Sequence, residues 1–249
     1  MIPSRRLAVC AAALCAALAL PVPSAGALSP VRLASGRRYL IGVEQPRRDT
    51  GRPTLILLTG YKLDPVTVRL QSGFDAVAVD ERWNVVYGES PTRSWNAGLC
   101  CGTAVAANTD DVGYLVDVVG SMKARGHDGP VYLAGFSNGG MMALRAGCER
   151  PLVFAKVASV AGTLVAPCPG GLRAARHVHG TADGVVPYDG GWSEFCQTWF
   201  PPVTGERALA TASVDYALST VDGGKHAWPR GATAYLREFF AGDLVRVVD

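Results

Sequence analysis

The 249-residue chain predicts an α/β domain: a mostly parallel sheet with helices on both faces. Two observations carry that expectation. Apolar runs of strand length alternate along the chain with segments of helical character, with no internal repeat or low-complexity linker between them. Val131 to Met141 then reads Val-Tyr-Leu-Ala-Gly-Phe-Ser-Asn-Gly-Gly-Met: an apolar strand, a glycine-flanked turn and the start of an apolar helix. Composition fits, with 49% hydrophobic and 18% charged residues, as in an ordinary globular chain. The net charge of +3 is scattered, which gives no footprint for nucleic acid.

Taken in order, the chain starts with Arg5-Arg6, the unbroken apolar run Leu7 to Leu20 and the small-residue pattern Ala25-Gly26-Ala27. That is the grammar of a secretory signal peptide, too short to span a bilayer. Residues 1–27 are therefore expected to be removed and residues 28–249 to form a single exported catalytic domain with no stable membrane insertion. Strands are expected at Tyr39–Glu44, Thr54–Thr59 and Phe74–Asp80, with a hairpin-like connection over Arg47–Arg52 between the first two. Glu81 to Cys101, rich in Gly, Asn, Trp and Cys, reads as a long loop of the kind that carries function. Asn108-Thr-Asp-Asp111 opens a helix to about Arg125, with Asp110 and Asp111 placed where a helix dipole favours carboxylates. Gly126 to Pro130 breaks it. Further strands are expected at Val157–Ala161, Ala174–Val178 and Ala212–Thr220, and helices at Gly190–Trp199 and Gly231–Phe240.

Cys10 and Cys15 leave with the leader; Cys100, Cys101, Cys148, Cys168 and Cys196 remain. In an exported protein these favour disulfides over metal ligands, and the odd number leaves one thiol over. Cys168 with Cys196 is the first pairing to expect.

Gly135-Phe-Ser-Asn-Gly139 is a G-x-S-x-G pattern between strand and helix, the context of a nucleophile elbow, which exposes the Ser137 hydroxyl at the sheet edge. The Asn138 N–H then sits at a helix N-terminus, aimed where a carbonyl oxygen becomes an oxyanion. A serine hydroxyl needs a base, and the base an orienting carboxylate. In α/β-hydrolases these follow in the order Ser, acid, His. His226, in the Gly-rich loop after the last strand, is the expected base; His127 reads as surface, His177 as sheet packing and His179 as structural. Asp183 follows the Ala174–Val178 strand and is the expected acid, with Asp189 and Asp222 as rivals. The second oxyanion donor is expected from Thr59-Gly60-Tyr61, through the Tyr61 N–H. Trp95, Tyr188 and Trp228 are candidate cleft walls, or core. This chemistry calls for neither metal nor organic cofactor.

Ser94-Trp-Asn-Ala-Gly, Cys100-Cys-Gly, Asp110-Asp-Val-Gly-Tyr-Leu, Gly135-Phe-Ser-Asn-Gly-Gly-Met, His179-Gly-Thr-Ala-Asp-Gly-Val-Val-Pro-Tyr and Gly224-Lys-His-Ala-Trp-Pro occur in that order. Together, over roughly Leu55 to Phe240, they resemble the esterase family of polyhydroxybutyrate depolymerases, which also holds feruloyl and acetylxylan esterases. The resemblance implies an α/β-hydrolase fold, a triad of Ser137, Asp183 and His226, and small or oligomeric esters as substrates. Two departures stand out. The family's early loop commonly carries His-Gly where this chain has Thr59-Gly60. The chain also ends at Asp249 with no appended substrate-binding module, which points to soluble esters rather than a solid polyester. The alternatives are a peptidase or acyltransferase on the same fold, and a non-catalytic secreted binding protein.

Overall fold

The computed structural model describes residues 26–47, 50–168, 171–205 and 215–242. The expected leader, apart from residues 26 and 27, lies outside them. An eight-stranded sheet forms the centre, in the order β1-β2-β4-β3-β5-β6-β7-β10. These strands are β1 (Ser29–Arg32), β2 (Arg38–Val43), β3 (Thr54–Leu58), β4 (Asn84–Gly88), β5 (Val131–Phe136), β6 (Lys156–Val160), β7 (Ala174–Gly180) and β10 (Asp215–Val221). β1 and β2 are antiparallel additions at one edge; every pairing from β4 to β10 is parallel.

Burial on both faces explains the continuous apolar strands. Along β3, Leu55 and Leu57 face a cluster with Val68 of α1 (Pro65–Ser72), Phe74 and Ala78 of α2 (Phe74–Glu81) and Leu236 of α6 (Ala232–Ala241). Ile56 and Leu58 face the other cluster, with Leu115 and Val118 of α4 (Asp111–Ala124) and Met141 and Leu144 of α5 (Asn138–Glu149). The two-residue period of the strand thus sends alternate side chains into two helical layers. A short helix, α3 (Gly102–Ala106), precedes α4. Among the described residues no helix is long and apolar enough to cross a membrane.

Several expectations change. Phe74–Asp80 is helix α2, not a strand: Phe74 and Ala78, four apart, turn inward while Val79 stays 58% exposed. A short apolar run carries no period that separates strand from helix. Here Gly73 and Arg82, both left-handed, bound the segment as helix caps. The missing strand is β4, inside the stretch read as loop, and all of its residues are buried. β2 and β3 do not form a hairpin, because β4 lies between them and β2 pairs with β4 antiparallel; residues 48 and 49 of that connection lie outside the described part.

Gly190–Trp199 is not helical either. It folds as a hairpin of β8 (Gly191–Ser193) and β9 (Thr198–Phe200), with Gly190, Gly191 and Gln197 at positive φ, which a helix does not admit. The expected start of the last strand, at Ala212, lies outside the described residues. His127 is buried, with its ring Nε2 3.0 Å from Glu44 Oε1, rather than at the surface.

The cysteine pairing differs too. Cys148, in the last turn of α5, is bonded to Cys168, with Cα atoms 4.8 Å apart, so Cys168 is not available to Cys196. Cys100 is bonded to Cys101, and among the described residues Cys196 is the free thiol. The sulfurs of Cys100, Cys101 and Cys196 lie within 4.8 Å of one another, but two of the three are spent in a disulfide and offer no thiolate to an ion.

Candidate active site

The parallel strands all end at the same sheet edge, and the site assembles there. Ser137 follows β5 and caps α5 with φ 54° and ψ −121°, a conformation an ordinary residue avoids. Tight backbone bonds hold it: Ser137 N–H donates to Val160 O at 2.7 Å, and Met141 N–H donates to Ser137 O at 3.0 Å. The flanking glycines permit the turn by close approach. A Cβ on Gly135 would run into the Gly139 backbone, and one on Gly139 into the carbonyls of Leu58 and Thr59. Gly135→Ala is therefore expected to destabilise the fold by about 3 kcal/mol or more, since backbone cannot step aside as a side chain can. Denaturant unfolding of the purified variant checks this, and a cost below about 1 kcal/mol would contradict the close packing.

His226, in the loop after β10, reaches the serine: its Nε2 lies 2.9 Å from Ser137 Oγ. Its Nδ1 lies 2.7 Å from Asp183 Oδ2. Asp183 follows β7, and its loop is tied to the His226 loop by Ala182 N–H donating to Gly224 O at 2.9 Å. The Val185 and Val186 N–H groups each donate to Asp183 Oδ1 at 2.8 Å. Burial opposes ionisation of this carboxyl, but hydrogen bonds from His179 and His226, the nearby His226 charge and the Val186 N–H outweigh it. The Asp183 pKa is held well below the usual carboxylate range. An ionised Asp183 only accepts, so Nδ1 of His226 carries the proton and Nε2 is the acceptor for the Ser137 hydroxyl.

Behind the triad lies a layer that sequence reading leaves out. His179 Nε2 is 2.9 Å from Val186 O and 3.3 Å from Asp183 Oδ2. A carbonyl accepts, so Nε2 carries hydrogen and Nδ1 accepts. His177 Nε2, 2.9 Å from that Nδ1, is then the donor. Two buried imidazoles in relay thus brace the acid from its inner side. Their spacing in β7, two apart and on one face of the strand, is the signal in the sequence that could have found this layer.

Asn138 does more than offer an N–H. Its side chain accepts from Trp95 N–H at 2.7 Å and donates to Trp95 O and Cys100 O at 3.0 and 3.1 Å, locking the loop after β4 onto the elbow. The loop Thr59–Tyr61 lies against the serine, where a Cβ on Gly60 would come within 3.3 Å of Ser137 Cβ. Among the described residues neither the Asn138 nor the Tyr61 backbone N–H meets a protein acceptor. Beside Tyr61 stands Phe195 of the β8–β9 hairpin, ring centroids 5.9 Å apart, with Lys62 Nζ within 4.9 and 5.2 Å of the two rings. Phe195 was hidden by the helical reading of its segment.

The three candidate wall aromatics do not frame the serine together. Trp95 is fully buried, stacked on Tyr114 at 5.9 Å, and its indole N–H donates to Thr59 O at 3.0 Å; it is core. Trp228 packs edge-on against Phe74 at 6.3 Å and donates to Thr233 Oγ1 at 2.9 Å, bracing the start of α6. Tyr188 stands 6.1 Å from the His179 ring and lines a cleft of about 580 Å³ with Val203, Tyr216 and Leu218. Of the rival acids, Asp222 accepts from Thr181 Oγ1 at 3.3 Å, supporting the loop rather than His226; Asp189 is exposed. Asp110 caps α4 by accepting from Gly113 N–H at 2.7 Å. Asp111 instead is buried on Arg37 at 2.8 Å and accepts from Asn96 N–H. Burial pushes its carboxyl pKa up despite both partners.

No protein-family profile matches the chain. Over 152 residues, 58% of this chain, it is 35% identical to NocK of Nocardia uniformis subsp. tsuyamanensis, a protein that carries an esterase name, and it spans 44% of that protein. Over 114 residues, 42% of this chain, it is 34% identical to feruloyl esterase B of Piromyces equi, and it spans 20% of that protein. The chain thus spans less than half the length of these curated relatives. Among solved structures, an α/β serine hydrolase homologue from Coxiella burnetii is similar with a TM-score of 0.55 at 17% identity, over 87% of this chain and 96% of that one. With the strand order above, this likeness assigns the α/β-hydrolase fold.

Proposed function

We propose that this α/β-hydrolase chain is a secreted serine esterase that cleaves carboxylic esters through an acyl-enzyme, in the manner of polyhydroxybutyrate depolymerases acting on soluble oligomers or small esters. The observation that carries the reading is the hydrogen-bonded line from Asp183 Oδ2 through His226 to Ser137 Oγ, at 2.7 and 2.9 Å. Ser137 attacks the ester carbonyl while His226 Nε2 takes its proton. Asp183 fixes the tautomer and stabilises the imidazolium. The Asn138 and Tyr61 N–H groups, open at the serine, receive the oxyanion; loss of one such donor costs about 3–4 kcal/mol of transition-state stabilisation. His226 then returns the proton to the leaving alcohol, and water resolves the acyl-enzyme by the same steps.

A second reading, a feruloyl or acetylxylan esterase, is favoured by the match to a feruloyl esterase over 114 residues. The two readings share the triad and differ in the acyl group. They separate in kcat/KM on a soluble 3-hydroxybutyrate oligomer and on methyl ferulate, with Ser137→Ala as blank. A preference for the oligomer is expected. A preference for ferulate overturns the depolymerase-like reading, and turnover of neither above the blank overturns the esterase reading itself.

A further inference from the structure

We propose that the cleft between the Thr59–Pro65 loop and the loop after β4 is a subsite for a free carboxylate carried by the ester substrate. The proposal deepens the esterase reading and rests on it. The cleft holds about 390 Å³, within the size range of small-ligand sites. Its charged lining is Arg32, Arg37, Arg38 and Arg93 against Asp64 and Glu89.

Which of these charges are already engaged decides what the cleft attracts. Glu89 is held by the fork of Arg38, through Nε and through Nη2 at 2.8 Å. Asp64 caps α1, accepting from the Thr67 N–H at 3.0 Å and its hydroxyl at 3.1 Å. Arg37 lies on Asp111 and over the Tyr114 ring at 3.7 Å. Glu89 is therefore neutralised by Arg38, whereas Asp64 is held by neutral donors on Oδ1 and keeps its charge. Arg32 uses only Nη1, on Gly36 O at 3.0 Å. Arg93 makes no ion pair or side-chain hydrogen bond among the described residues. Two guanidinium groups thus keep free N–H donors at one cleft and outnumber Asp64, the one lining carboxylate that no cation pairs among the described residues. Their planar fork matches a carboxylate in two parallel bonds.

The cleft is joined to the serine by the backbone. Thr59 lines it, and Gly60, next in the chain, lies against Ser137. The Lys62 N–H donates to Arg93 O at 2.7 Å, so the Arg93 loop is pinned one residue from the Tyr61 N–H. An ester whose acyl group ends in a free carboxylate, such as the half-ester of a diacid, would be held there with its reacting carbonyl at the serine.

The test is kcat/KM on monomethyl adipate and methyl hexanoate, esters of equal acyl length that differ by one carboxylate. Wild type is expected to prefer the adipate, chiefly through KM. Arg32→Gln with Arg93→Gln is expected to lower the adipate-to-hexanoate ratio about tenfold. Raising salt to about 1 M, where screening acts within ~3 Å, should lower the same ratio. Arg173→Gln, which removes an exposed arginine away from the cleft, should not. No preference in wild type, or equal losses on both esters in the double variant, overturns the subsite. If neither ester is turned over above the Ser137→Ala blank, the esterase reading fails. The subsite is then decided by calorimetric binding of adipate to Ser137→Ala: binding abolished by the two substitutions supports it, and no binding overturns it.

Discussion

Ser137→Ala is expected to lower kcat on any accepted ester by about a million-fold, the scale on which loss of a triad serine is felt. The size follows from the geometry. Only Ser137 places an oxygen 2.9 Å from the accepting nitrogen of His226, and no other hydroxyl shares that bond among the described residues. Alanine keeps the Cβ and the backbone, so the φ of 54° is strained no further and the bonds to Val160 O and from Met141 N remain. The unfolding midpoint should consequently move little. Comparing single-turnover rates with denaturant midpoints separates the two quantities. A variant that keeps more than about a hundredth of the activity would remove Ser137 as the nucleophile, whereas the oxyanion donors alone account for a residual 10³–10⁴-fold over water.

Asp183→Asn is expected to cost about 10⁴-fold in kcat with the backbone in place. The amide nitrogen of Asn donates where Asp183 only accepts. It favours the His226 tautomer with hydrogen on Nε2, which can no longer receive the Ser137 proton. The same substitution changes stability with a sign that follows from the depressed pKa. A carboxyl whose folded pKa is lowered contributes stability that is present above its unfolded pKa of about 4 and is lost as pH falls toward the folded value. The stability gap between wild type and Asp183→Asn should thus be open at neutral pH and narrow below about pH 4. Urea unfolding at pH 7 and pH 3 measures it. A gap that widened in acid would mean that Asp183 is not held ionised by its partners.

Much of the architecture was legible because burial writes itself into composition. β3 and β5, covered on both faces, are continuous apolar runs, and α4 opens on its own capping residue, Asp110. The order Ser137, Asp183, His226 could be read because each stands just past an apolar run that ends at one sheet edge. What could not be read depends on partners remote in sequence. Phe74–Glu81 has the composition of a strand and becomes a helix because left-handed residues close it at both ends. β4 is short and lies in a stretch without a clear period, and only its pairing with β2 and β3 places it inside the sheet. Trp95 could be read as wall or core because it sits in an irregular segment, and only its N–H to Thr59 O and its full burial place it in the core. The Cys148–Cys168 bond follows from where α5 ends, which spacing alone does not disclose.

The strand order also sets when the proposed site is complete. Ser137 hangs on β5, Asp183 on β7 and His226 beyond β10, the last of the described strands and the outermost on that side of the sheet. A chain emerging from its N-terminus completes the serine, the elbow and the acid long before residue 226 exists, and β10 has only β7 to pair with in the sheet. On the proposed mechanism Ser137 therefore lacks its base until residue 226 has been made and its loop docks. Latency of this kind follows from the sequence order of the strands alone.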